Sequence, residues 1–241
     1  MLEDTMALNK IAVFDSGVGG LGVLKLLDKV KIADEILYYA DNKNVPFGTK
    51  SKDEIIQIGQ QALDYLEKQN VDLIILACNT VSSILPVLKT KTKVLPISDF
   101  AILGLSRIAN NKNTLIIATK ATINSSLYQN ACDKFNIKAD FISPIEFVPI
   151  VESMEFNKAN DIMSNYFTKR DYQYILYACT HYPFLDKEIK NYFVNSITID
   201  PALILLEQFE KIQKVPKTSI IFEASSDTRI LKEFYERINN E

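Results

Sequence analysis

Short apolar runs rich in Ile, Val, Leu and Tyr alternate along this chain with longer stretches of helical period. The runs Lys10–Phe14, Glu35–Ala40, Val71–Ala77, Val94–Ile97, Thr114–Ala118, Tyr174–Ala178, Ser196–Ile199 and Ser219–Phe222 predict strands. Several do not alternate between apolar and polar; Asp72-Leu73-Ile74-Ile75-Leu76-Ala77 is apolar after its first residue. Continuous apolar strands suit a parallel sheet covered by helices on both faces. Between them, Ser51–Gln69 and Asn157–Lys169 carry apolar residues at the 3.6 period and predict helices. The chain is therefore an α/β protein.

The pattern also repeats. Leu76-Ala77-Cys78-Asn79-Thr80 and Tyr177-Ala178-Cys179-Thr180-His181 each end an apolar run with Ala-Cys, and the two cysteines are 101 residues apart. In each half the next strand ends in an acid, Asp99 and Asp200, again 101 apart. Upstream, Phe14-Asp15-Ser16-Gly17 and Ile117-Ala118-Thr119-Lys120 hold comparable places. Two marks in one register predict two similar Rossmann-like halves with mainly parallel sheets, related by pseudo-twofold symmetry. We place them at 8–98 and 99–207, with 208–241 returning to the first. Ligands of open α/β sheets bind beyond the carboxyl ends of the strands. The active site is therefore expected in the cleft between the halves, with Cys78 and Cys179 on its two sides.

Composition narrows the classes. At 241 residues the chain needs no staple to bury a core. A net charge of −3, with no dense Lys/Arg block, argues against a nucleic-acid partner. No apolar run reaches the length of a membrane span, and the acidic, polar Met1–Lys10 stretch is unlike a signal peptide. Three cysteines without C-x-x-C spacing, and one histidine, make neither a disulfide framework nor a metal site. Reduced thiols in the cytoplasm are the natural reading.

Each candidate residue has a plain structural alternative. A cytosolic cysteine is most often a small buried hydrophobe, and Cys132, inside the helical stretch Ser125–Phe135, is read that way. Cys78 and Cys179 sit at strand ends where helices begin, and a helix N-terminus favours the thiolate. Asp15-Ser16-Gly17-Val18-Gly19-Gly20-Leu21-Gly22 matches G-x-G-x-x-G after a strand, with Asp41 placed like a ribose-binding acid. This keeps a dinucleotide-binding module open. Against it, Asp15 would set a carboxylate beside a pyrophosphate and better suits a ligand ammonium or a thiol's proton, with Ser16 and loop amides taking a carboxylate. His181, two residues from Cys179, also invites a cysteine-hydrolase reading, which leaves the second cysteine idle. Glu152, read as opening a helix, is either a capping charge or a site residue; Asp99 and Asp200 are read as helix caps. Asn44–Thr49 reads as a turn carrying backbone donors to the cleft. Two thiols on opposite faces of one ligand suit inversion at a carbon next to a carboxylate, one thiolate taking a proton while the other thiol gives one. No Lys sits in a recognisable pyridoxal-phosphate context, so no cofactor is expected.

The chain resembles the glutamate racemases of the aspartate/glutamate racemase superfamily. The resemblance rests on FDSGVGGLG (Phe14–Gly22), YADNKNVPFGTKS (Tyr39–Ser51), ACNTVS (Ala77–Ser82), ATKATINS (Ala118–Ser125), VPIVE (Val148–Glu152) and ACTHYP (Ala178–Pro183), with a weaker FEASSD at Phe222–Asp227. It implies interconversion of L- and D-glutamate without a cofactor, supplying D-glutamate for peptidoglycan synthesis, in a homodimer. It further implies that Cys78 serves the D-glutamate face with Asp15, and Cys179 the L-glutamate face with His181 and Glu152. Asp15, Ser16, Phe47, Gly48, Asn79, Thr80, Thr180 and His181 would line the substrate, with Thr119 and Thr122 beside them. The family usually has Tyr at the position of Phe47. Related aspartate racemases share the paired cysteines but usually lack a THYP-like sequence, which favours glutamate; the alternatives are a racemase of aspartate or another amino acid on the same fold, or a non-catalytic amino-acid or nucleotide-binding module.

Overall fold

The computed structural model describes residues 8–111, 113–168 and 171–240. Most of the Met1–Lys10 stretch, and Lys169 at the end of an expected helix, lie outside the described residues. Nine strands form: β1 (Leu8–Asp15), β2 (Ala33–Ala40), β3 (Leu73–Leu76), β4 (Val94–Pro96), β5 (Thr114–Ala118), β6 (Ala139–Ile142), β7 (Tyr174–Ala178), β8 (Ile197–Ile199) and β9 (Ser219–Ala224). They make two sheets, ordered β4-β3-β1-β2-β9 and β6-β5-β7-β8. Every pairing is parallel.

Read along each sheet, β4-β3-β1-β2 and β8-β7-β5-β6 are one arrangement built twice. The strands ending at Cys78 and Cys179 hold equivalent central places, each beside the first strand of its sheet. Ile11–Asp15, β3, β5 and the last four residues of β7 are buried throughout, as strands covered on both faces must be. Each fully buried Ile or Leu among them contributes roughly 1.5–3 kcal/mol of transfer free energy.

Eight of these strands coincide with the apolar runs. The ninth, β6, is short and only partly buried, and Asp140 interrupts its apolar run. The Asp140 carboxylate accepts a hydrogen bond from Tyr172 Oη at 2.7 Å. An edge strand needs only one apolar face, which leaves too weak a pattern in four residues.

The helices differ from expectation where backbone geometry intervenes. The Ser125–Phe135 stretch is observed as helix Leu127–Lys134, set apart from the preceding helix Lys120–Asn124 by Ser126, which takes a left-handed φ of 59°. Asn157–Lys169 is observed as Lys158–Tyr166. Asp200 caps its helix, accepting from Ala202 N at 2.9 Å, and burial raises its pKa to about 6. Asp99 caps nothing: it is the third residue of helix Ile97–Arg107, behind Pro96. The repeat therefore aligns the two acids in sequence but not in their local roles.

The helix Lys52–Glu67 shows how sequence sets the position of a cysteine. Ser51 Oγ accepts from Glu54 N at 3.3 Å while the Glu54 carboxylate accepts from Ser51 N at 2.9 Å, a reciprocal cap that starts the helix. Its inner face, Ile55, Gly59, Ala62, Leu63 and Leu66, is buried. Gly59 lets it approach Val81 closely, since a Cβ there would lie 2.9 Å from Val81 Cγ1. Val81 belongs to the turn of helix that begins directly after Cys78.

Removing the cap with Ser51→Ala should cost about 1 kcal/mol and lower the melting temperature by roughly 2–4 °C. Thermal unfolding followed by circular dichroism would check this; an unchanged midpoint would show that the cap is not a net contributor.

Candidate active site

Four strand ends converge between the sheets, and each carries polar residues that the burial of its strand has fixed in place. After β1 come Asp15 and Ser16; after β3, Cys78, which precedes helix Asn79–Ser82; after β5, Thr119; after β7, Cys179, Thr180 and His181. Cys78, Asn79, Thr80, Thr119, Cys179, Thr180, His181, Ser16, Phe47 and Gly48 all line one cavity. The two thiols, expected on either side of a cleft, line the same cavity.

Cys179 has the more elaborate surroundings. Its Sγ lies 3.7 Å from His181 Nδ1, and His181 Nε2 lies 2.7 Å from Glu152 Oε1. With Nε2–H donated to the carboxylate, Nδ1 is left to exchange a proton with the thiol. Glu152 does not open a helix; it ends the helix Phe147–Glu152, so the capping role considered from sequence does not arise. Its Oε1 also accepts from Val18 N at 3.0 Å. Asp15 sits behind Thr180, accepting from Thr180 Oγ1 at 3.0 Å and from Gly17 N at 3.2 Å.

These contacts remove the dinucleotide reading. The loop N–H groups that would hold a pyrophosphate already serve the protein's own carboxylates, Gly17 with Asp15 and Val18 with Glu152. A Cβ at Gly17 would fall 2.0 Å from Glu152 Oε1, and one at Gly19 would fall 2.5 Å from His181 Nδ1. The glycines thus admit side chains of the facing sheet. Asp41, cast as the ribose acid, accepts from Asn44 Nδ2 at 3.0 and 2.9 Å and braces the next turn.

Burial decides the electrostatics. The Cys78 thiol is pushed well up, first by burial and then by the Asp15 charge; the N–H groups of Val81 and Thr80 pull it down too weakly to compensate. The lowering expected at a helix N-terminus is therefore present but outweighed. Asp15 is itself raised, chiefly by burial, although the charge of His181 and the hydrogen bonds from Gly17 and Thr180 oppose this. At His181 burial acts downward, but Cys179 and Glu152 together overcome it and hold the imidazole well above its ordinary value. Cys132 is an inert thiol in a helix, raised to about 11 by burial.

Not every expected residue reaches the cavity wall. Thr122 is fully buried behind it, with Oγ1 2.9 Å from Thr119 Oγ1 and 3.4 Å from Thr80 Oγ1. Asp15 and Glu152 are also off the wall, in hydrogen-bond contact with Thr180 and His181, which line it. The Phe47 ring is buried in the core of the first sheet, which needs no hydroxyl, while Gly48 lies close enough to Thr119 that a Cβ would sit 2.7 Å from its Cβ. Lining residues not named individually as candidates from sequence are Pro46, Thr49, Lys120, Tyr182, Val148 and the segment Ser143-Pro144-Ile145. Pro46 and Thr49 belong to the turn expected to face the cleft, and Lys120, Tyr182 and Val148 lie inside stretches already marked as motifs. Ser143–Ile145 follow β6, the strand the pattern missed.

The chain has one histidine, so its titration can be read without ambiguity. The folded pKa lies above the unfolded value of about 6.5. The linked stability is therefore complete below that value and is lost as pH rises through the folded pKa. The histidine ring resonances should remain imidazolium-like above pH 7 by NMR, and Glu152→Gln should shift their midpoint downward. A midpoint near 6.5 that is indifferent to Glu152→Gln would refute the assignment.

Comparison with known proteins agrees with this arrangement. The sequence profile of the Asp/Glu/Hydantoin racemase family matches residues 23–209. The glutamate racemase of Campylobacter jejuni subsp. jejuni is 39% identical over 241 residues, covering 92% of this chain and 95% of that protein. A crystal structure of glutamate racemase from Campylobacter jejuni superposes with a TM-score of 0.88 at 34% identity, over 96% of this chain and 98% of that one. Glutamate racemase from Francisella tularensis, solved in complex with D-glutamate, gives 0.81 at 27% identity over 97% and 94%. The doubled parallel sheets, the paired strand-end cysteines and these matches agree: the chain belongs to the Asp/Glu/hydantoin racemase family.

Proposed function

We propose that this protein is a glutamate racemase that moves the α-proton between two thiols without a cofactor, supplying D-glutamate for peptidoglycan synthesis. The observation that carries the reading is that Cys78 and Cys179, at equivalent strand ends of two sheets built alike, line one cavity. In the L-to-D direction the Cys179 thiolate takes the α-proton; the C–H bond breaks, an S–H bond forms and the electron pair stays on the α-carbon. The Cys78 S–H then gives its proton to the opposite face, leaving Cys78 as thiolate. The reverse direction starts from that state.

The surroundings suit these roles: His181, held well above its ordinary pKa, lies beside Cys179, while burial and Asp15 keep Cys78 protonated as the acid. The carbanion would be stabilised by fixed dipoles in a space with little water. Asn79, Thr80, Thr119 and Thr180 supply an amide and hydroxyls on the walls, and Ser16 and Gly48 bring the first-sheet loops to it. Glutamate rather than aspartate is supported by the THYP sequence after Cys179 and by the names of the relatives at 34–39% identity.

Incubation with L-glutamate in D2O and no additive should erase optical activity as deuterium enters the α-position. Cys78→Ser and Cys179→Ser should each abolish turnover of both enantiomers. Near-parental turnover by either variant would end the two-thiol mechanism, and retained optical activity with the parent protein would end the assignment. Asp15→Asn removes a charge that raises the Cys78 pKa, so it should speed alkylation of Cys78 by iodoacetamide at pH 8 several-fold. Peptide mass spectrometry would show this; an unchanged rate would separate Asp15 from Cys78.

A further inference from the structure

Tyr128 lies in helix Leu127–Lys134, fully buried and off the cavity wall, yet its phenol reaches across to the strand-end turn after β3. Tyr128 Oη donates to Asn79 Oδ1 at 2.5 Å. Asn79 is the residue after Cys78 and lines the cavity. An asparagine amide offers an acceptor at one end and donors at the other, and rotating it by half a turn exchanges the two.

From this geometry we infer that Tyr128 is a positioning residue which locks the Asn79 amide so that Nδ2 presents its N–H donors to a substrate carboxylate. The inference rests on the glutamate racemase reading above. If the amide were reversed, the phenolic proton would lose its acceptor, and it has no other among the described residues. A buried donor without a partner is costly, so one orientation is held. The phenol keeps its proton at all working pH values, because burial, Asp99 and Cys179 all raise its pKa. Asn79 Nδ2 has no protein partner among the described residues, so its donors remain for whatever enters the cavity. With Oδ1 turned inward instead, Asn79 would repel a carboxylate and favour the ammonium group. Tyr128 therefore selects which end of an amino acid this wall accepts.

The test compares Tyr128→Phe, Asn79→Ala and the double variant, with KM and kcat measured for L- and D-glutamate. Tyr128→Phe keeps the ring and removes only the hydroxyl. It should raise KM about tenfold for both enantiomers while kcat stays within about threefold. In the double variant the loss should be no greater than in Asn79→Ala alone, because the hydroxyl acts through the amide. Losses that multiply in the double variant, or a parental KM in Tyr128→Phe, would overturn the inference while leaving the racemase reading intact. An inactive parent protein in the same assay would overturn both.

Discussion

One carboxylate oxygen ties the site together. Glu152 Oε1 accepts from Val18 N on the loop after β1 and from His181 Nε2 on the segment after β7. The two sheets therefore meet at a shared acceptor, and the meeting orients the imidazole whose other nitrogen faces Cys179. A second link, Thr180 Oγ1 to Asp15, repeats the tie a few residues away. Charge-assisted bonds in a dry interior are stronger than in water, and they are equally costly to leave unmade. The loop glycines follow from this constraint, since side chains at Gly17 and Gly19 would occupy the space held by Glu152 and His181.

That constraint also makes the two thiols unequal despite the doubled fold. The sheets repeat their strand order, and both cysteines occupy equivalent strand ends. Around Cys179 the neighbours are an imidazole and its carboxylate partner; around Cys78 they are the Asp15 charge and the start of a short helix. Fold symmetry brings two thiols to one cavity, and the residues that meet there give each thiol different neighbours.

Support from outside the cavity is as specific as its lining. Thr122 backs Thr80 and Thr119, Tyr128 holds Asn79, and Gly59 lets the helix Lys52–Glu67 press on the turn after Cys78. Neither Thr122 nor Tyr128 lines the cavity, yet each bonds side chains that do, which is how a site built on strand ends keeps its geometry.

Much of this was legible in the sequence. The continuous apolar runs specified buried parallel strands, and the 101-residue spacing of two Ala-Cys strand ends specified a doubled fold with paired thiols. Those signals are local, carried by hydrophobic period and by residues adjacent in the chain. Other features depended on contacts that no spacing encodes. The loop glycines spelled a dinucleotide motif, and only the facing Glu152 and His181 show why they are glycine. Glu152 proved to end its helix and to serve a histidine 29 residues away. The thiol of Cys78 was expected to be lowered by its helix, but burial and Asp15, 63 residues earlier, raise it. The reason is common to all three: chain periodicity reports which residues are buried, whereas hydrogen-bond partners and desolvation are set by residues brought together only when the sheets meet.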